Sequence, residues 1–194
     1  MLSWNEHISY ICQSLMKYFG IFNHIKAFIS KTLVRQLYFA FIYSMVSYGI
    51  ECFGNTCKNQ SQRLQTIQNK LLKLALNRDP KTSTNSLHGE LHILKVCDIS
   101  TVKILLLVNN ILLGICPDHF RNYFQLRETN YDLRLSKLNV VRTKTKLASL
   151  GIYVRGANLW NNFSEALKKY RYQKNFKKYI IKYYIDQYRT GNYQ

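Results

Sequence analysis

The chain has 194 residues and a mass of 23.0 kDa, which suits one domain with a hydrophobic core and leaves little room for a second full fold. A hydrophobic fraction of 47%, with only 2 prolines and 8 glycines, excludes a disordered tail. The 28 Lys and Arg residues against 10 Asp and Glu residues give a net charge of +18, which predicts a polyanionic partner, RNA or DNA before anionic membrane. A basic surface that serves only solubility is the alternative.

Apolar residues at helical spacing predict helices through the first half of the chain. The first helix is expected at about residues 4–19, with Gly20 ending it. Ser30 is a good N-cap for a second helix that runs towards Gly49 and is apolar on nearly all sides, so we expect it to be the central buried helix. The helix runs through Leu33, and its side chains that are predicted to lie in the core are Leu37, Phe41 and Met45.

The third helix is amphipathic, with an apolar stripe and its polar residues elsewhere. The stripe consists of Leu64, Ile67, Leu71 and Leu74, while Arg63, Gln68, Lys70 and Lys73 are expected off it. Asp98 is predicted to cap a further helix that includes Leu105 and ends near Gly114. These patterns predict a mainly α fold with a helical bundle.

The pattern changes after Pro117. Two runs rich in β-branched residues, 138–143 and 151–155, predict a small hairpin, and the helical pattern resumes from Gly156. On a terminal basic helix, lysines recur every four residues, and apolar residues are expected to pack on the opposite face. These lysines are Lys174, Lys178 and Lys182, and the packing residues are Phe176, Ile180 and Tyr183.

A complete catalytic site is missing from the sequence. Two-metal phosphoryl transfer needs clustered carboxylates, whereas the acids are dispersed and the nearest pair, Glu128 and Asp132, is expected in an exposed loop. His88 and His92 are four residues apart, but the glutamate that a metalloprotease needs after the first histidine is replaced by Gly89. We therefore predict no catalytic residue, no metal site and no cofactor.

The cysteines and the chain start indicate a reducing compartment. The five cysteines are scattered in apolar sequence and are expected to be reduced core residues, and Cys52 and Cys57 lack further ligands for zinc. The chain start lacks the pattern of a signal peptide. Polar residues within 33–50 favour a buried helix over a membrane span. We expect an intracellular protein, in the nucleus or the cytoplasm.

Several stretches, taken in chain order, carry a family resemblance. The first are Leu2-Ser3-Trp4-Asn5-Glu6-His7-Ile8, Ser47-Tyr48-Gly49-Ile50 and Ile67-Gln68-Asn69-Lys70. The later ones are Leu91-His92-Ile93-Leu94, Pro117-Asp118-His119-Phe120 and Gly156-Ala157-Asn158-Leu159-Trp160-Asn161. In order and approximate spacing they resemble the region after the polymerase palm in reverse transcriptases of non-LTR (LINE-type, jockey-like) retrotransposons. Where that family carries Leu-Pro after Trp-Asn, this chain has Asn162-Phe163.

The resemblance implies a part of an RNA-directed DNA polymerase without its active site. Residues 1–80 would form a helical thumb-like region and residues 81–194 a carboxyl-terminal extension with the small hairpin. The palm with its catalytic aspartates would precede Met1. Such parts hold primer and template, so the implied function is sequence-nonspecific binding of RNA or DNA, with a separate palm as a further candidate partner.

Basic residues on the predicted helices and beside the predicted hairpin are the candidate phosphate contacts. They are Lys70, Lys73, Arg142, Lys144, Lys146, Arg155, Lys174, Lys178 and Lys182. The first alternative is a helical protein-interaction scaffold that has no nucleic-acid role. The second, weaker alternative is a peripheral membrane binder that uses the final basic helix.

Overall fold

The computed structural model describes residues 4–54, 58–127 and 137–191. Within these residues the chain is mainly helical, which confirms the predicted fold class. It forms two compact units: a first unit of Met1–Ser100 with Ile181–Gln194, and a second unit of Thr101–Ile180. The division predicted at residue 80 concerns parts of the resembled family and stays a prediction. In the described ranges, no helix combines the length and the apolar character that crossing a membrane requires.

The first unit consists of helices joined by short connections. In chain order they are α1 (Asn5–Ile25), α2 (Lys31–Leu37), a π-helical segment (Tyr38–Tyr43), α3 (Ser44–Ser47), α4 (Ile50–Phe53), α5 (Lys58–Ala75), α6 (Thr84–Leu91) and α7 (Val96–Leu112). Two of the predicted helix signals are confirmed. The Ser30 hydroxyl accepts a hydrogen bond from the Leu33 amide at 3.3 Å, and Gly49 lies in the left-handed region at φ 63° directly after α3 and Tyr48.

Helix α1 is longer than predicted and continues through Gly20 to Ile25. A side chain at Gly20 would meet nothing within 4 Å, and its φ is not positive, so this glycine neither needs nor imposes a helix end. The apolar face of α1 packs against α5. Its buried residues are Ile8, Ile11, Cys12, Leu15 and Phe22.

The buried face of the second helix differs from the predicted one. Phe41 is 46% exposed, and Leu37 and Met45 are only half-buried. The core stripe lies one residue further along the chain: Val34, Tyr38, Ile42 and Val46. In an α-helix, a residue four positions further along the chain is rotated by about 40° around the helix axis. The wider turn of the π-helical segment reduces this rotation, so residues four apart stay on one face of the helix. Because the sequence is apolar on both faces, periodicity alone does not select between the two stripes.

Helix α5 buries Leu71 as predicted, and it also buries Gln68, which the prediction placed off the stripe. The Gln68 amide nitrogen donates to the Tyr38 hydroxyl at 2.7 Å and to the Leu94 carbonyl at 2.8 Å. A buried side-chain amide is stable only when its polar atoms are hydrogen-bonded. Gln68 therefore contributes to the core through its hydrogen bonds.

The second unit is built from part of α7 and a series of shorter elements. They are a 3-10 helix (Asp118–Tyr123), α8 (Lys146–Ser149), α9 (Ile152–Asn162), α10 (Glu165–Lys168) and the first residues of α11 (Phe176–Thr190). Its core surrounds Trp160, which is 2% exposed. Leu105 is buried in this unit, as predicted.

The predicted hairpin of 138–143 and 151–155 does not form. Residues from Ile152 onward belong to α9, where Val154, Ala157 and Trp160 recur every three residues and are buried. Leu138 pairs with Leu126 in an isolated antiparallel bridge. The Asn161 side chain replaces the missing strand, because it accepts from the Leu138 amide at 2.7 Å and donates to the Leu138 carbonyl at 2.9 Å.

The cysteines are only partly in the core. Cys12 is buried and Cys116 is half-buried, whereas Cys52 and Cys97 are exposed, which corrects the expectation of core positions. None of these four described cysteines forms a disulfide bond. Cys57 lies outside the described residues. Apolar neighbours in the sequence therefore predicted burial for only some of these thiols.

Gly156 allows α9 to approach its neighbours closely, and we expect Gly156→Ala to lower the free energy of unfolding by about 1–3 kcal/mol. A Cβ there would lie 2.7 Å from Phe124 Cζ and 3.0 Å from Val108 Cγ2, and all three residues are buried. Urea denaturation measures the change. Gly20→Ala is the matched control, and it should raise the free energy of unfolding by about 0.5–1 kcal/mol, as for any open helical glycine. Equal effects of the two substitutions would contradict the close packing.

Candidate nucleic-acid interface

One segment of the second unit combines positive charge with aromatic rings. Residues 168–178 read Lys-Lys-Tyr-Arg-Tyr-Gln-Lys-Asn-Phe-Lys-Lys, with no acidic residue. The segment runs from the end of α10 through a series of turns into the first turn of α11. We call residues 168–178 the basic aromatic segment.

Most of the lysines in the segment are exposed and lack an acidic partner among the described residues. Lys169, Lys174, Lys177 and Lys178 are exposed, and no carboxylate in the described part of the chain forms an ion pair with them. Lys168 differs, because its ammonium lies 2.5 Å from Glu165 and 5.7 Å from the centre of the Trp160 ring. The positive charge that is available to an anion therefore lies at residues 169–178.

The tyrosines of the segment hold defined positions. The ring of Tyr170 stacks on that of Tyr179, with centroids 4.6 Å apart and planes inclined by 26°. Tyr172 is 70% exposed, and the Arg171 guanidinium carbon lies 4.5 Å from the centre of its ring. Arg171 also donates a hydrogen bond to the Tyr172 hydroxyl. Aromatic surface thus lies beside the lysines.

Buried groups fix the backbone of the segment. Asn109 of α7, which is buried, donates from its amide nitrogen to the Arg171 carbonyl at 3.1 Å. Phe163, which precedes the segment, and Phe176, which lies within it, are both buried, and their rings pack edge to face. Turn hydrogen bonds, such as Gln173 N to Tyr170 O at 2.9 Å, connect these anchors. The segment is therefore held in place before any ligand binds.

The lysines predicted on the last helix do not line one helix face. Lys174 lies in a turn before α11, whereas Lys178 and Lys182 lie within α11 and are exposed. Lys174 and Lys178 fall in the basic aromatic segment, and Lys182 belongs to the first unit. The apolar side of the helix is also different from the prediction, since Phe176 and Ile180 are buried but Tyr183 is 36% exposed.

The basic residues predicted to flank the hairpin are distributed over several elements. Arg142 and Lys144 are exposed in an irregular stretch, and Arg155 is half-buried in α9. Lys146 lies in α8, but its side chain is outside the described part of the structure. These residues therefore do not flank a hairpin, and their role as phosphate contacts stays a prediction.

The predicted contacts on α5 lie in the first unit. Lys70 is exposed, whereas the Lys73 ammonium donates to the Pro80 carbonyl. Nearby, Arg78 forms an ion pair with Glu90 at 3.5 Å. Lys73 and Arg78 therefore already have partners within the protein, whereas Lys70 is exposed.

Sequence reasoning missed the core of the candidate interface. A spacing of four residues pointed to Lys174 and Lys178 but not to the basic and aromatic residues near them, most of which lie in turns. The missed residues are Lys169, Tyr170, Arg171, Tyr172 and Lys177. The signal that was present is the alternation of basic residues with tyrosines, which is typical of sites that bind single strands.

A second group of chemically active side chains surrounds His88 in the first unit. His88 is fully buried; its Nδ1 lies 3.0 Å from the Ile93 carbonyl and its Nε2 lies 3.0 Å from Asn69 Oδ1. Both partners accept, so these contacts favour a protonated ring. Burial outweighs this effect and lowers the pKa of His88 to about 4, with the hydrogen bond to Ile93 raising it and the Lys95 charge lowering it. The ring is therefore neutral at pH 7.

His92 does not join His88 in a metal site. It adopts a left-handed conformation after α6, is exposed, and lies 2.9 Å from an Arg189 guanidinium nitrogen. Across the described ranges, no group of three His, Cys, Asp or Glu side chains is placed to hold a metal ion. The His88 cluster is thus a network that links helices.

Comparisons of the chain with protein-family models, curated proteins and solved structures found no match. The basic aromatic segment is the strongest candidate, because its charges are exposed and its backbone is fixed.

The buried His88 predicts that the protein is less stable in acid. The unfolded chain takes up a proton near pH 6.5, whereas folded His88 takes it up only near pH 4, so stability is fully present above pH 6.5 and is lost as the pH falls towards 4. We expect the free energy of unfolding to fall by about 2 kcal/mol between pH 7 and pH 5 from this group alone. Urea denaturation at both pH values measures it. His88→Gln lacks the titrating ring and should show a correspondingly smaller decrease; an equal decrease would assign the effect to other groups.

Proposed function

We propose that the chain binds RNA or DNA without sequence specificity, through phosphate contacts of the basic aromatic segment. The observation that carries the proposal is the group of exposed lysines, Lys169, Lys174, Lys177 and Lys178, on a backbone fixed by buried residues. Phosphates neutralise such charges and release counterions, which provides most of the affinity of nonspecific binding. The net charge of +18 increases the rate of encounter with a polyanion.

The position of two lysines supports an anionic ligand. Lys177 and Lys178 lie in the first turn of α11, near the positive end of the helix dipole, where cations are unfavourable by a few tenths of a kcal/mol each. Lys174 adds a like charge just before the helix. A bound phosphate would relieve this repulsion, whereas a role in folding would favour acidic residues at these positions.

The side chains of the segment fit contacts to the nucleic-acid backbone better than base readout. Lysine presents a point charge to a phosphate, whereas specific readout of base edges relies on groups such as the bidentate arginine. The guanidinium of Arg171 is bonded to Tyr172 and lies against its ring. Phosphate contacts carry no sequence information by themselves, so binding is expected on any sequence.

We further propose that the chain is a non-catalytic piece of a retrotransposon reverse transcriptase. The ordered sequence matches, from Trp4-Asn5-Glu6-His7 to Leu159-Trp160-Asn161, support this proposal, and a helical fold is what the resemblance implies. The catalytic aspartates of that family have no counterpart in this sequence. Primer extension by the purified chain with magnesium, above a control without protein, would contradict it.

The two alternative functions make different predictions. A helical scaffold without a nucleic-acid role predicts no salt-dependent binding to an oligonucleotide. A membrane binder that uses α11 must insert apolar side chains, yet Phe176, Ile180, Ile185 and Tyr188 are buried. Flotation with anionic vesicles, without any oligonucleotide binding, would favour the membrane alternative.

The test of the proposed function is a salt titration of binding. We expect the triple variant Lys174→Gln, Lys177→Gln, Lys178→Gln to lower the slope of log affinity against log salt by about two for a single strand, because each lost phosphate contact contributes about 0.7. Fluorescence anisotropy with a labelled oligonucleotide measures the slope. Circular dichroism confirms that the variant is folded.

A matched control removes the same charge from exposed positions of the first unit. In the variant Lys17→Gln, Arg63→Gln, Lys81→Gln the net charge falls equally, but the basic aromatic segment is unchanged. We expect its slope to stay close to that of the wild type. If the control lowers the slope and the triple variant of the segment does not, the binding surface lies on the first unit, which includes the predicted contact Lys70.

A further inference from the structure

We infer that the basic aromatic segment is specific for single strands, with unpaired bases stacking on Tyr172 and on the outer face of the Tyr170 and Tyr179 pair. The inference rests on the proposed function, because the same segment would hold the phosphates. It adds a substrate class to that function: RNA or DNA with unpaired bases, as opposed to duplex.

Tyr172 offers a base the most accessible ring of the segment. It is 70% exposed although the Arg171 guanidinium lies 4.5 Å from its centre. Arg171 covers only part of the Tyr172 ring, so a flat ligand can stack on the rest of the ring. A base that stacks there would complete a layered arrangement of guanidinium, phenol and base, which combines a cation–π contact with π-stacking.

The second platform is a stack that already exists. The rings of Tyr170 and Tyr179 lie 4.6 Å apart and nearly parallel, and Tyr170 is 38% exposed. A base can extend this stack without rearranging it. Lys169, Tyr170, Arg171 and Tyr172 follow one another in the chain, so cationic and aromatic groups alternate along the backbone as phosphates and bases do in a strand.

The rings can contribute to binding only when bases are unpaired. In a duplex the base faces are covered by their neighbours, and a protein reaches the backbone and the groove edges. The tyrosines would then add little to the lysine contacts. Because the backbone of the segment is fixed by Asn109 and by the Phe163 and Phe176 contact, ordering the two platforms costs little on binding.

The experiment compares single strands that carry the same phosphates but differ in their bases, and adds a duplex as a further ligand. Wild-type protein is titrated with single strands of about twelve nucleotides, the length range that aromatic platforms cover. They are oligothymidylate, oligouridylate and an abasic strand, and a DNA duplex of the same length is the fourth ligand. We expect the two single strands with bases to bind about tenfold more tightly than the abasic strand, and more tightly than the duplex at equal salt.

The variant Tyr172→Leu tests the platform directly, with Tyr10→Leu as its matched control. Tyr10 is 66% exposed on α1, in the first unit, and both substitutions keep an apolar side chain. We expect Tyr172→Leu to weaken binding of oligothymidylate several-fold, to leave the abasic strand and the salt slope unchanged, and to reduce the quenching of a 2-aminopurine base in the strand. Tyr10→Leu should change none of these values.

The outcomes separate this inference from the proposed function. Equal affinity of wild-type protein for oligothymidylate and the abasic strand overturns the inference but leaves phosphate binding intact, and this comparison needs no variant. Preference for the duplex also overturns it. Failure of every ligand to bind overturns both proposals together.

Discussion

The first unit depends on one buried side chain, Gln68. Its amide nitrogen donates to the Tyr38 hydroxyl and the Leu94 carbonyl, and its oxygen accepts from Gln65, so the amide joins α5 to the π-helical segment and to the connection between α6 and α7. A buried polar group left without a partner costs about 1–3 kcal/mol. Each partner must therefore be placed correctly, and this requirement fixes the register of α5 in a way that apolar contacts alone do not.

The same network extends from Gln68 to His88 through polar side chains of α5. Gln65 donates to Asn69 at 2.8 Å and accepts from the Val96 amide at 2.8 Å, and Asn69 faces His88. Burial raises the pKa of Tyr38 and lowers that of His88, so both side chains are neutral at pH 7 and no unpaired charge is buried in the network. The polar side chains around His88 thus connect helices. The burial of Tyr38 and His88 also removes them from contact with a substrate.

Sequence periodicity predicted where helices occur and failed where a tertiary partner decides the outcome. Ser30 and Gly49 are local signals, and both act as predicted. The choice of Tyr38 over Phe41 as a core residue depends on Gln68, which is thirty positions away in sequence. The hairpin predicted at Leu138 does not form. The Asn161 side chain makes the two hydrogen bonds to the Leu138 backbone that a partner strand would have made. In the candidate site, the helical spacing of four residues predicted Lys178. It did not predict residues 169–172 in the turns before α11, because turns do not repeat at that interval.

The basic aromatic segment separates the groups that stabilise it from the groups that are left to bind. Its position is fixed by neutral contacts, the Asn109 amide and the edge-to-face pair of Phe163 and Phe176, whereas its exposed lysines take no part in the core. Lys168 shows the contrast, since Glu165 neutralises it while the next residue, Lys169, has no carboxylate partner among the described residues. Replacing the exposed lysines therefore removes charge without removing a fold contact. Repulsion among cations around the start of α11 opposes folding slightly, and a phosphate chain that neutralises them would gain affinity from relieving it.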